Sequence, residues 1–222
     1  MQSAASALPS RVAAPGHGMG TPVRGLLRNE TAKQHERLHR HPYFAALLNG
    51  TLTIDAYRRL LARLFGYHVP IELSLRKLDE NRLGLGKDLD QSERLHLLEQ
   101  DLQDLGFSEG EMRRLPLSMH HLPLDSSAHA LGVIYVLEGS ALGGRLIHRH
   151  LGRLLEGRAS GRRFFAGQGV AAATRWQLVC RRLEQCTDVP ALIASATATF
   201  TGLADWLEGL PSLSAGGSAG RE

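Results

Sequence analysis

Residues 132–151 read GVIYVLEGSALGGRLIHRHL. Four of these twenty are glycines, at 132, 139, 143 and 144, set among strong helix formers with no proline. Without period-two alternation, the stretch predicts the middle of a helix from about Ser127 to Leu155. Each interior glycine costs such a helix ~1 kcal/mol relative to alanine. Gly132, Val136, Gly139 and Gly143 recur at 4, 3 and 4, so they share one face, a stripe about 16 Å long at 1.5 Å per residue. A face without side chains lets the backbone lie against a flat ligand, and it equally suits close packing of a second helix. The doubled Gly143-Gly144 weakens the helix more than packing needs and favours a kink.

Outward from this helix the chain predicts an all-α, single-domain, multi-helix bundle. The 222 residues suffice for one domain with a sizeable core, and they are poor in the β-branched and aromatic residues that fill strands. Thr21-Pro22 suits the start of a first helix that stops before His41-Pro42. A short segment follows through Phe44 to Leu48, and Thr53 with Asp55 opens a long helix toward Leu78 that Pro70 should bend. Leu95, Leu98, Leu102 and Leu105 mark an amphipathic helix ending near Gly106. Two last helices are expected over Ala171 to Glu184 and Val189 to Leu207. Residues 1–20 and 211–222 have the composition of disordered tails flanking a domain over 21–210.

Charge and cysteine content exclude several functions. No apolar run is long enough to span a membrane. The formal charge of +4 is modest and its arginines are scattered among acids, so a nucleic-acid groove is not indicated and docking of an acidic redox protein fits equally well. Cys180 and Cys186, six apart on one helix, sit on nearly opposite faces and do not pair. Two sparse thiols suit a reducing, cytoplasmic setting.

Among eleven histidines, helical phase selects one. Leu27, Thr31, His35 and Leu38 follow at 4, 4 and 3 and place His35 on the expected buried face; Asn29, Lys33, Glu36 and Arg40 mark the solvated one. A neutral imidazole on an apolar helix face is the chemistry of an axial iron ligand. A competing reading is a di-iron carboxylate bundle, because Glu36 with His39 and Glu93 with His96 both form Glu-x-x-His, with Glu72 and Glu138 available. Against it, Glu36 lies on the charged face, and Glu93 and His96 point away from the leucine stripe.

Thr31-x-x-x-His35 and YVLEGSALGGRLI (135–147), taken together, resemble the haem oxygenase family, especially the bacterial enzymes that supply biliverdin to phytochromes. The resemblance runs from Leu26 to Leu207 through Phe164-Phe165, ATRWQLVCRRL (173–183) and ATATFTGLADWL (196–207). It implies haem, as substrate and cofactor, between the first helix and a kinked, glycine-rich distal helix, with dioxygen as co-substrate. His35 matches the iron ligand. Gly139 and Gly143, with Gly144 beside them, match the distal glycines of about porphyrin width, and Ser140 joins them in stabilising bound oxygen. Arg28 and Arg181 match positions that pair with haem propionates, a solvated helix face being the alternative for both, and Phe200 matches a pocket wall.

The sequence departs from the family pattern at two of these positions. Ser140 stands where animal members carry an aspartate, and His39 where several relatives have a glutamate. The resemblance further implies oxidative cleavage to biliverdin with release of iron and carbon monoxide. No dinucleotide-binding glycine pattern follows a strand, so electrons must come from a separate ferredoxin, flavodoxin or reductase. A non-catalytic haem-binding or sensing protein on the same fold is the alternative.

Overall fold

The computed structural model describes residues 22–77, 92–166 and 170–213. Among these, ten helices and no strand are found: α1 (Val23–Glu30), α2 (Ala32–Arg40), α3 (Pro42–Leu48), α4 (Ile54–Lys77), α5 (Ser92–Asp104), α6 (Glu109–Met112), α7 (Ser127–Leu154), α8 (Arg163–Ala166), α9 (Val170–Glu184) and α10 (Val189–Leu207). The tail over 1–20, and all of 211–222 beyond Leu213, lie outside the described residues. Within the span expected as C-terminal tail, the Pro211 carbonyl accepts the Tyr43 hydroxyl at 2.9 Å.

The glycine-rich α7 is the centre of the bundle, contacted by α3, α8, α9 and α10. Ser126 caps its start by accepting the His129 N–H at 3.2 Å. Its contact with α10 depends on Gly132, where a Cβ would collide with Ser195 Oγ and the Leu192 carbonyl. At this end of the stripe the glycine serves helix packing, with Leu192, Ser195 and Ala196 of α10 buried beside it.

The expected first helix is two. Thr31 separates α1 from α2 at φ −95°, ψ 0° while its hydroxyl donates to the Leu27 carbonyl at 2.7 Å. Such a back-bond competes with the helical ladder and bends the chain. In α4, Pro70 offers no N–H to the Gly66 carbonyl four residues earlier. That carbonyl instead accepts the Ser118 N–H at 2.9 Å, so the orphaned acceptor anchors the loop before α7. The helix is thus tolerated whole across its proline.

Asp101 of α5 organises the next element. Fully buried, its carboxylate accepts the Arg163 N–H and the Phe164 N–H, each at 2.8 Å, and so starts α8. Burial raises the Asp101 pKa, and these backbone donors oppose the rise. The consequence lies one residue on, where Phe164 and Phe165 are held against α7.

Candidate functional site

Between these helices lies a cavity of about 560 Å³, within the usual range for small-molecule sites. Helix α2 contributes His35, Leu38 and His39, and α10 contributes Thr199, Phe200 and Leu203. Helix α7 contributes Val136, Gly139, Ser140, Gly143 and Gly144; Tyr67 and His68 of α4, Arg94 of α5, Phe164 of α8 and Trp176 of α9 complete the walls. Arg28 of α1 also lines it while remaining exposed.

His35 departs from the expectation of a buried face. Leu27, Thr31 and Leu38 are buried, but His35 between them is exposed, because the core opens into the cavity at this position. Its ring lies 4.5 Å from that of His39 and meets Phe200 edge-on at 5.8 Å. Its pKa is lowered chiefly by partial burial and then by His39; Arg28 adds to the effect and Glu36 opposes it. The imidazole is therefore neutral at pH 7 and presents a lone pair, the state in which histidine binds a metal.

The glycines do different work. A Cβ on Gly143 would meet nothing within 4 Å, so this position faces open cavity. A Cβ on Gly139 would rest 3.7 Å from Trp176, an ordinary contact. Gly144 is buried against α8, where a Cβ would come within 2.8 Å of the Phe165 carbonyl oxygen; packing demands this glycine. Ser140 donates its hydroxyl to the Val136 carbonyl at 2.6 Å and offers the cavity only an acceptor.

Arg181 is not brought to the cavity. On α9 the inward residues are Trp176, Val179 and Leu183, spaced 3 and 4, and Arg181 falls in the opposite phase, exposed. The two Glu-x-x-His motifs do not converge either. Glu36 pairs with Arg40 at 2.7 Å, and His96 is exposed beside Glu99 and Gln100. Glu72 pairs with Arg76 and Glu138 with Arg175, both at 2.8 Å. Among the described residues no three His, Cys, Asp or Glu side chains are grouped to hold a metal. Likewise, no described helix is long and apolar enough to cross a membrane, and both cysteines are free.

A model of the haem oxygenase family matches residues 22–208, nearly all of the described chain. The chain belongs to the haem oxygenase family. The matched span contains His35, the glycine-rich α7 and all ten described helices. The fold is also that of heme oxygenase-1 from the cyanobacterium Synechocystis sp. PCC6803, solved in complex with heme. The two share 15% identity at a TM-score of 0.69, over 85% of this chain and 91% of that one. No curated protein sequence gives a significant match.

Two wall residues were not singled out in the sequence. His68 is in phase with Leu61, Leu64 and Ile71 at 3, 4 and 3, a signal that places it on the inner face of α4. Burial next to the Arg94 cation lowers its pKa to about 3, so this imidazole too is neutral. Arg94 lies four residues before Leu98 and seven before Asp101, both fully buried. The arginine is itself only 8% exposed.

Proposed function

We propose that the chain binds haem in this cavity through His35 and cleaves it oxidatively to biliverdin, with release of iron and carbon monoxide. The observation that carries the reading is one cavity bounded both by the neutral imidazole of His35 and by the bare α7 backbone at Gly143. The lining fits a porphyrin: predominantly apolar and aromatic, with the His35 imidazole on one side and the bare α7 backbone at Gly139 and Gly143 as a surface on which a flat ring can rest. When bound, haem supplies the iron that activates dioxygen and the ring that is opened.

The protein's own contribution is binding, orientation and exclusion of water. His35 holds the iron, and Phe200, edge-on to its ring, limits rotation of the imidazole. Gly139 and Gly143 would allow close approach of α7, and the Ser140 oxygen would offer an acceptor in the same cavity. Arg28, exposed and lining the cavity, would pair with a propionate, as guanidinium groups do in bidentate fashion. Electrons come from a separate ferredoxin, flavodoxin or reductase. A bacterial phytochrome is the proposed acceptor of the product, and the cytoplasm the proposed site of action.

The test is aerobic incubation of the protein with haem and a generic electron donor, followed by absorbance. Loss of the Soret band with growth of biliverdin absorption is expected, and His35→Ala should abolish the haem spectrum. Haem that stays bound and intact would overturn the enzyme reading and leave a haem-binding protein; chromatography of the product identifies the isomer.

A further inference from the structure

A buried cation needs an opposite charge. Transfer of an ion out of water is costly unless a partner or hydrogen bonds compensate, so native proteins rarely leave one alone. Arg94 is such a cation. It is more than nine-tenths buried, it lines the cavity, and its Nε has no hydrogen-bond partner. Among the described residues no carboxylate forms an ion pair with it. The Phe164 ring lies 4.9 Å from its guanidinium carbon.

The surroundings sharpen the point. His68 meets the same Phe164 ring edge-on at 5.3 Å and contributes no charge, being neutral. Glu138, the acid whose field reaches Arg94, makes its own ion pair with Arg175, whose field opposes it. The Asp101 carboxylate accepts the Phe164 backbone N–H and so fixes the backbone that carries this ring.

We propose that Arg94 is the anion-binding group of the cavity's inner wall, taking one carboxylate or one small inorganic anion. On a residue only 8% exposed, the guanidinium has little free surface, enough for one small anionic group. A fork of N–H donors over an aromatic ring is suited to such a group. The haem reading bears on the source of a carboxylate, which would then be the tetrapyrrole's own; the site itself stands without it.

The experiment compares wild type with Arg94→Met and Arg94→Lys. In haem-free protein, Arg94→Met should raise the melting temperature by several degrees, since it removes an uncompensated buried charge, whereas a merely structural strut would lower it. Binding of 8-anilinonaphthalene-1-sulfonate to haem-free protein should weaken at least tenfold in Arg94→Met and less in Arg94→Lys. If the natural anion is inorganic, fluoride titration of the ferric haem complex should weaken at least tenfold with haem affinity unchanged. If it is a haem carboxylate, haem affinity should fall tenfold instead. Unchanged affinity for dye, fluoride and haem alike would overturn the proposal. Wild type that takes up no haem would overturn the haem reading, while the melting and dye measurements would still decide the anion site.

Discussion

The separate roles of two glycines on one helix face can be tested by giving each a methyl group. At Gly143 the added Cβ meets nothing within 4 Å and projects into the cavity. Replacing an interior helical glycine by alanine gains about 1 kcal/mol, which for a domain of this size raises Tm by roughly 2–4 °C. Gly143→Ala should therefore stabilise the haem-free protein. The same methyl occupies the surface on which the porphyrin would rest, so haem affinity should fall about tenfold or more, a loss of about 1.4 kcal/mol or above, and turnover with it.

Gly132→Ala should behave in the opposite sense. Its Cβ collides with the Leu192 carbonyl, a backbone atom that cannot swing aside. Overpacking of this kind costs about 3 kcal/mol at the upper end of its usual range, leaving a net loss of about 2 kcal/mol after the helix gain. Thermal melts of haem-free protein, paired with Soret titration of each variant, give both numbers. A Gly143→Ala protein that binds and turns over haem normally would refute the assignment of that face to the ligand. One that melts lower would refute the open geometry.

Stability should also report on the polar groups turned inward. His68 has a folded pKa of about 3, below that of a free histidine. The unfolded state therefore takes up the proton first, and stability present above about pH 6.5 is lost as pH falls toward 3. At pH 5 the loss relative to pH 7 is about 2 kcal/mol, a figure insensitive to the folded value so long as it lies below about 4. Urea unfolding of haem-free wild type and His68→Phe across this range should show the difference, and parallel pH profiles would contradict it. Asp101→Asn turns one acceptor of two buried backbone N–H groups into a donor, which costs about 1–3 kcal/mol; the urea midpoint should fall with an unchanged slope. A midpoint equal to wild type would mean that Asp101 does not hold the start of α8.

Helix positions were legible because stripes and caps agreed. The span expected at Ser127 to Leu155 is found at Ser127–Leu154, and Val189 to Leu207 is found unchanged. Both begin at a side-chain cap, Ser126 and Asp188, and both bury a stripe longer than four turns. The split at Thr31 was not legible, because a threonine hydroxyl can point to solvent or back to the carbonyl four residues earlier, and local sequence does not say which. Nor could α4 show its accommodation of Pro70, since the donor to the Gly66 carbonyl is Ser118, far along the chain.

The site was legible only in part, for a reason visible in α7 itself. A helical wheel gives the direction in which a residue points, but not what stands there. Gly132 and Gly143 share a face, yet one direction ends on α10 and the other in open cavity. Arg181 fails the same way in reverse: its type suits a carboxylate, and its phase takes it outward from the Trp176, Val179 and Leu183 side of α9. Arg94 was hidden by the rule that arginine marks a solvated face. That rule fails at Arg94, which lies one helical turn before the buried Leu98 and faces the cavity. A cation in phase with buried residues is thus the sequence signal most worth reading: among the described cavity residues it distinguishes the guanidinium turned inward at Arg94 from the one left at the rim at Arg28.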